Sequence, residues 1–325
     1  MSKDIWVYAE TVDGRLSETV PELLTKAVEL SGRLGGRVAA VLTGSTGAEV
    51  EKTLSDYGAQ AVIIAESEAL ASYSARNYAD ALTQLCRKYE PSIFLFPAGP
   101  IGYEVAPLVM CALGTGLTAD AIDLFVDEDG DFIQTTPGFG GSILAHICIG
   151  EKRPQMVTVR PKVFEPRLAA GKPAAERIVE PVSCEADEAY ELLEVLHGQG
   201  VGAGLKDAKV VVACGRGVKK QEDLELMRRF ADRIGGVLAC SRPLVDCGWL
   251  PHELQIGQSG CTVKADVIIN IGISGSTQYL AGMQNSKCII SINTNESAPI
   301  MAASHYSLAA DYRKLIPALL AKLGG

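Results

Sequence analysis

The chain has 325 residues, enough for about two domains of ordinary size. A hydrophobic fraction of 47% can fill sizeable cores, while a net charge of −9 argues against binding to nucleic-acid backbones. The nine cysteines include no Cys-x-x-Cys pair, which argues against zinc or iron–sulfur ligation and fits a reducing, cytoplasmic compartment.

The first part of the chain alternates strand and helix signals. Such alternation is typical of parallel strands covered by helices on both faces. Short apolar runs predict the strands, and apolar residues spaced along one helical face predict the helices. Strands are predicted over residues 5–9, 38–42, 61–65 and 93–96, and helices over 23–34, 48–57 and 74–89.

The pattern then changes to antiparallel signals. Asp123–Val126 and residues 132–135 flank an Asp129-Gly130 turn and predict a hairpin. Residues 142–149 and 155–160 are expected to extend this antiparallel layer. The first domain is therefore predicted to contain a mixed sheet.

A change of composition separates this domain from the rest of the chain. The acidic "CEADEAYELLE" of residues 184–194 is followed by the glycine-rich "HGQGVGAGLK" of residues 197–206. These segments indicate a helix and a solvated linker, with a binding tail as the alternative. The sequence predicts one domain over residues 1–200 and a second over 201–325.

The second domain alternates strands and helices again, which predicts a Rossmann-like parallel α/β fold. Strands are predicted over residues 210–213, Val237–Cys240, Val267–Ile271 and 289–292, and helices over 221–234 and Tyr312–Leu323.

Each of these four strands is followed by glycine, a hydroxyl, an amide or a guanidinium. Ligands of open parallel sheets bind beyond the carboxyl ends of the strands. One such feature alone is most simply a turn or a surface residue, but four together favour a planar, anionic ligand. Arg216 and Arg242 supply charge, and Gly275 and Ser276 offer N–H groups to a phosphate. The fingerprint G-x-G-x-x-G of nicotinamide nucleotide sites is absent.

The polar loop "LQIGQSG" (residues 254–260) lies between two of these strands. Its Gln258 and Ser259 either contact a heteroaromatic ring or belong to an ordinary surface loop, and the loop alone favours neither interpretation.

Several segments together resemble the alpha subunit of electron transfer flavoprotein over nearly the whole chain. They are "GTGLTADAIDL" (residues 114–124), "RPQMVTVRPKVF" (153–164), "SRPLVDCGWLPHELQIGQSG" (241–260), "GISGSTQYLAGM" (272–283) and "SINTNESAPI" (291–300). The resemblance implies an N-terminal nucleotide-hydrolase-like mixed α/β domain that packs on a beta subunit. It also implies a C-terminal domain that carries one FAD.

The resemblance also assigns roles to residues of the second domain. Arg216 is expected near the adenine-side phosphate or ribose, Ser241 and Arg242 near the isoalloxazine, and Asn293 and Asp311 at the adenosine end. The Ser259 hydroxyl is expected close to flavin N5. The full implied set is Arg216, Ser241, Arg242, Ile256, Gly257, Gln258, Ser259, Ser274, Gly275, Ser276, Thr277, Gln278, Tyr279, Asn293, Asp311 and Tyr312.

Position 279 departs from the family pattern. Many members carry His where this chain has Tyr279, and that His is expected near the flavin C2 carbonyl. A phenol can donate a hydrogen bond there, but it does not become cationic near neutral pH. Two interpretations stay open: a tolerated exchange of donors, or weaker stabilisation of the charge gained on reduction, with Arg242 doing most of that work.

The implied function is that of an electron carrier, not of an enzyme acting alone. It would pass electrons from flavin dehydrogenases, often of the acyl-CoA type, to a further acceptor. Some members instead split electrons from NADH between two acceptors, with a second FAD or an AMP in the beta subunit. Such a chain can belong to a larger NADH-linked acyl-CoA reductase or dehydrogenase complex.

Two other classes compete with this interpretation. One is a nucleotide-binding, NAD-dependent enzyme of related fold, with His252 or His305 as its catalytic candidate. The other is a structural subunit that has lost its cofactor. Membrane insertion is not expected, because the uncharged run of residues 267–286 carries several amides and hydroxyls.

Overall fold

A computed structural model describes residues 2–44, 46–138, 143–169, 173–185, 193–194 and 204–323. The chain divides into two compact units, Met1–Leu193 and Glu194–Gly325. The domain boundary predicted at residues 200–201 lies outside the described residues and stays a prediction. The acidic helix and the glycine-rich linker also fall largely outside them.

The first unit is built on a parallel sheet. In the described residues this sheet has seven strands in the order β12-β5-β4-β1-β6-β11-β7, and every neighbouring pair is parallel. Strands of this unit are β1 (Ile5–Tyr8), β2 (Thr11–Val12), β3 (Arg15–Leu16), β4 (Val38–Thr43), β5 (Ala61–Glu66), β6 (Ile93–Pro97), β7 (Leu117–Ala121), β8 (Asp123–Val126), β9 (Phe132–Gly138), β10 (Ile143–Ile147), β11 (Gln155–Val159) and β12 (Glu176–Pro181).

The predicted hairpin is present, but one predicted neighbour belongs elsewhere. β8, β9 and β10 pair antiparallel in a separate sheet. The expectation that residues 155–160 extend this layer is wrong, because β11 lies in the parallel sheet between β6 and β7. All five residues of β11 are buried, as in a central parallel strand covered on both faces.

Helices cover both faces of the parallel sheet. They are α1 (Thr19–Leu34), α2 (Ala48–Asp56), α3 (Ala75–Tyr89) and α4 (Pro100–Leu113). The Ser74 hydroxyl accepts from the Asn77 N–H and caps α3. Two apolar clusters, one led by Leu23, Leu24 and Leu42 and the other by Trp6, Phe94 and Phe96, form the core on either face.

The second unit carries a five-stranded parallel sheet in its described part, in the order β14-β13-β15-β16-β17. The strands are β13 (Val210–Cys214), β14 (Val237–Cys240), β15 (Val267–Ile271), β16 (Cys288–Asn293) and β17 (Tyr306–Ala309). The helices are α5 (Asp223–Arg233), α6 (Arg242–Asp246), α7 (Thr277–Ala281), α8 (Pro299–Ala302) and α9 (Tyr312–Leu323). The predicted fold class, two α/β domains of which the second is a Rossmann-like parallel sheet, is confirmed.

The strand order of the second unit determines where a ligand can bind. β13 lies between β14 and β15, so the chain runs to one side of β13 and then to the other. Such a reversal leaves a crevice at the carboxyl ends of the strands, because the following loops diverge. Of the helices in the described ranges, none combines the length and the apolar run that crossing a bilayer requires.

Candidate functional site

A cavity of about 470 Å³ opens at the carboxyl ends of β13, β14 and β15. The loop after β13, helix α6, the loop of residues 255–259 and the segment 273–279 form its walls. The lining residues are Arg216, Ser241, Arg242, Pro243, Asp246, Gln255, Ile256, Gly257, Gln258, Ser259, Ile273, Ser274, Ser276, Gln278 and Tyr279.

The structure brings most of the predicted site residues together at this cavity. Lining residues from the predicted set are Arg216, Ser241, Arg242, Ile256, Gly257, Gln258, Ser259, Ser274, Ser276, Gln278 and Tyr279. Gly275 and Thr277 belong to the lining segment, but their own atoms do not line the wall. Asn293, Asp311 and Tyr312 are likewise not among the lining residues.

Those last three side chains bond to the protein instead. Asn293 donates from Nδ2 to the Ile273 carbonyl at 2.7 Å. Asp311 accepts from the Arg313 N–H at 2.9 Å beside the start of α9. The Tyr312 hydroxyl donates to the Asp223 carboxylate at 2.6 Å, which ties α9 to α5. Contacts of Asn293, Asp311 and Tyr312 with a cofactor therefore stay predictions.

Glycine 275 serves the packing of the chain. A Cβ at this residue would lie 2.4 Å from the Ile300 nitrogen, and its φ of +86° also favours glycine. Gly217 and Gly272 are similar, since a Cβ on Gly217 would lie 2.6 Å from the Gly272 Cα. The scarcity of side chains in residues 272–276 is thus explained by backbone segments that pass close to one another.

The loop of residues 255–261 is fixed from two sides. The buried Gln255 donates from Nε2 to Ser259 Oγ at 3.1 Å, and His252 donates from Nε2 to the Ser259 carbonyl at 3.0 Å. The Gln258 N–H donates to the Gln278 carbonyl at 2.8 Å and joins the loop to α7. The Ser259 hydroxyl therefore accepts from Gln255, which leaves its own proton for a group in the cavity.

The histidines considered for a catalytic role have structural partners. His252 supports the Ser259 carbonyl, as described, and does not line the cavity. His305 accepts the Ile289 N–H at 2.9 Å through Nδ1, between β16 and β17. These contacts remove the sequence-based reason for an NAD-dependent catalytic centre at either histidine.

The charged groups of the cavity wall are Arg216, Arg242 and Asp246. Arg242 Nε lies 3.5 Å from Asp246 Oδ2, one helical turn further along α6, and both side chains are largely exposed. The wall thus carries two guanidiniums and one carboxylate, which favours an anionic ligand. Asp246 partly offsets the positive charge of Arg242. The sequence did not predict this partner of Arg242.

Tyr279 is one of the lining residues, and its hydroxyl lies in the protein interior. The residue is buried, and its hydroxyl donates to Asn270 Oδ1 at 2.5 Å. Burial, followed by the nearby thiols of Cys214 and Cys240, raises the pKa of Tyr279 well above its usual value of 10. The phenol therefore keeps its proton at any physiological pH.

Four lining residues were not predicted from the sequence: Pro243, Asp246, Gln255 and Ile273. Asp246 could have been found from its i, i+4 spacing to Arg242, had the short helix α6 been expected. Asn270 had a clearer signal, because an amide inside the apolar run "VIINI" needs a buried partner. Gln255 carried no comparable signal.

Comparison with known proteins places this geometry in a family. Residues 5–183 match the model of the electron transfer flavoprotein domain, and residues 204–284 match that of the electron transfer flavoprotein FAD-binding domain. The electron transfer flavoprotein subunit alpha of Thermoanaerobacterium thermosaccharolyticum is 37% identical over 99% of this chain and 98% of its own length. This chain belongs to the electron transfer flavoprotein alpha subunit family.

Other relatives of this alpha subunit carry different names. Protein FixB of Clostridium saccharobutylicum is 38% identical over 98% of this chain and 96% of its own length. A lactate dehydrogenase (NAD(+),ferredoxin) subunit, LctC of Acetobacterium woodii, is 37% identical over 99% of this chain and 77% of its own length. The whole cavity wall falls within the range matched by the FAD-binding domain model.

Proposed function

We propose that this alpha subunit binds one FAD in the cavity of its second unit and carries electrons between a flavin dehydrogenase and a further acceptor. A beta subunit is proposed as its heterodimeric partner, with a second FAD or an AMP bound there. The proposal rests on one observation: a single cavity at the sheet's reversal point brings together eleven residues that the family resemblance had assigned to FAD.

The chemistry of the wall fits FAD. The guanidiniums of Arg216 and Arg242 suit the diphosphate and the charge gained on reduction. The hydroxyls of Ser274 and Ser276 suit the ribityl and phosphate oxygens. Ile256 and Ile273 are apolar residues of the wall and suit a heteroaromatic ring.

FAD supplies the reversible uptake of one or two electrons, and the protein supplies position and charge. Arg242 opposes negative charge at the ring and raises the potential for accepting an electron. Gln255 holds the Ser259 oxygen as an acceptor, so the Ser259 proton is available to a ligand of the cavity. His252 and the bond between Gln258 and Gln278 keep this loop in place.

The name of the A. woodii relative extends the proposal to assemblies. On that likeness we propose that the heterodimer can belong to a larger NADH-linked dehydrogenase or reductase complex. An acyl-CoA dehydrogenase is the electron donor that we propose, in line with the family resemblance. Splitting of electrons between two acceptors is assigned to the beta subunit's second flavin.

Co-expression with a beta subunit tests the proposal. We expect a yellow heterodimer whose alpha-bound FAD is reduced by an acyl-CoA dehydrogenase plus acyl-CoA and reoxidised by an acceptor dye. A colourless complex that binds NAD(H) instead would overturn the proposal. A yellow complex that NADH reduces and acyl-CoA dehydrogenase does not would overturn only the choice of donor.

A further inference from the structure

A chain of buried hydrogen bonds runs from the cavity wall into the second unit. It begins at Tyr279 on α7, whose hydroxyl donates to Asn270 Oδ1 at 2.5 Å. The Asn270 amide donates to Ser291 Oγ at 3.2 Å, and to the Ile290 carbonyl at 3.4 Å. Ser291 Oγ lies 2.7 Å from Ser304 Oγ. Tyr279, Asn270 and Ser291 are all at most 3% exposed.

The donors and acceptors of this chain have only one consistent assignment. The Ser304 hydroxyl donates its only proton to the Ile300 carbonyl at 2.7 Å, so Ser304 Oγ must accept the hydrogen bond from Ser291. Ser291 then donates to Ser304 and accepts from the Asn270 amide. The Asn270 oxygen is thereby turned towards Tyr279, and it accepts the single phenolic proton. Each proton therefore points away from the cavity.

We propose that Asn270 is a positioning residue that holds the Tyr279 hydroxyl inside the protein, so that the phenol offers the cofactor no hydrogen-bond donor. This inference rests on the proposed function, because it concerns the wall against which FAD would lie. It replaces the sequence-based expectation that the phenol donates at the flavin edge. Arg242 and Ser259 then carry the polar contacts with the ring.

The physical reason lies in the cost of a buried, unpaired hydroxyl. Leaving a buried donor without an acceptor costs free energy, because the group loses its hydrogen bonds to water and gains none in the protein. Without the Asn270 oxygen, the phenol lowers this cost by turning its hydroxyl towards the polar cavity. The turned side chain then occupies space and adds a donor where the cofactor binds. A phenylalanine at the same position has no hydroxyl to satisfy and no reason to turn.

A cycle of variants tests this coupling in the full chain. Asn270→Leu is compared with the parent, and the same change is made in a Tyr279→Phe background. We expect Asn270→Leu to weaken FAD binding at least tenfold in the parent and less than threefold in the Tyr279→Phe background. Asn285→Leu, a change of an exposed amide on the loop after α7, is the matched control.

A second measurement needs no cofactor. The melting temperatures of the four FAD-free proteins should not be additive, because the two side chains share one hydrogen bond. Equal weakening of FAD binding in both backgrounds, no weakening in either, or additive melting temperatures would each overturn the inference. Asn270→Ala, which adds no bulk, replaces Asn270→Leu if the leucine prevents folding.

Failure of the inference and failure of the proposed function are distinguishable. If the parent binds no FAD, the proposed function fails, and the melting temperatures alone then decide the role of Asn270. If the parent binds FAD and the cycle shows no coupling, the proposed function stands and the inference fails.

Discussion

Gly282 offers a test of how the loop of residues 255–261 shapes the cavity. It ends α7 at φ −86°, a conformation that alanine adopts without strain. A Cβ there would lie 2.5 Å from the Gly257 nitrogen and 2.6 Å from its Cα. Ordinary contacts begin at 3.4 Å, so the loop must retreat by about 0.9 Å.

The free-energy cost of this displacement of the loop can be estimated. Overpacking of this kind costs about 1–3 kcal/mol. Two bonds resist it: Gln258 N–H to the Gln278 carbonyl, and Val263 N–H to the Gly282 carbonyl, both at 2.8 Å. Because the loop carries four of the predicted FAD contacts, Gly282→Ala is expected to weaken FAD binding about tenfold or more, where tenfold is about 1.4 kcal/mol.

The assay is titration of the FAD-free protein with FAD, followed by flavin fluorescence, together with thermal unfolding. Gly32→Ala in α1 is the matched control, because nothing lies within 4 Å of a Cβ there. The control should keep the parent's affinity and gain up to about 1 kcal/mol of stability, as alanine does in a helix. A Gly282→Ala protein with the parent's affinity would refute the packing argument.

Three further predictions concern charge. Burial raises the pKa of Glu10 to about 7 from 4.5. Between these two pH values the folded state keeps a proton on Glu10 that the unfolded state has lost. The free energy of unfolding should therefore fall by up to about 3 kcal/mol as pH rises from 4.5 to 7. Glu10→Gln should remove this dependence of stability on pH in thermal unfolding. Glu151→Gln, a change at an exposed carboxylate, should keep it. The same pH dependence in Glu10→Gln and the parent would contradict the assignment to Glu10. Arg242→Ala should lower the potential at which bound FAD accepts its first electron by tens of millivolts or more in a redox titration. A nearby charge is worth up to a few kcal/mol, and 59 mV is about 1.4 kcal/mol. An unchanged potential would show that Arg242 lies away from the ring. Asp246→Asn should raise the same potential by no more than about 40 mV, because an exposed ion pair is worth about 1 kcal/mol at most; a fall would contradict the pairing.

The sequence predicted the strands best where an apolar run is bounded by turn residues. Val237–Cys240 and Val267–Ile271 were predicted to the residue. The edge strand β17 was missed because it is only four residues long and all four are exposed, so no buried apolar run marks it. Helix α4 was missed because its composition is apolar almost throughout, which hides a one-sided pattern.

Pairing was harder to predict than the existence of elements. β11 follows β8, β9 and β10 in the sequence, and this order suggested that it pairs with them. The chain instead returns to the parallel sheet, where β11 lies between β6 and β7. The run "QMVTV" is buried on both faces, and an apolar run of that length gives no sign of parallel or antiparallel partners.

The site was predictable in its members and less so in its contacts. The residues after the strand ends meet at one cavity because the sheet's reversal point brings those ends together. What Tyr279 does with its hydroxyl could not be predicted, because that depends on Asn270 nine residues earlier, on the neighbouring strand end. Likewise, the packing role of Gly275 depends on Ile300, which only the fold brings close.

Binding of FAD to the cavity of the second unit is the central claim, and stoichiometry measured with a blocked cavity tests it most directly. Ser276 is exposed and lines the cavity, so Ser276→Trp places an indole at its wall. We predict one FAD per parent chain by absorbance after gel filtration and none in Ser276→Trp, at equal melting temperatures of the FAD-free proteins. FAD retained by Ser276→Trp at the parent's stoichiometry would contradict the account.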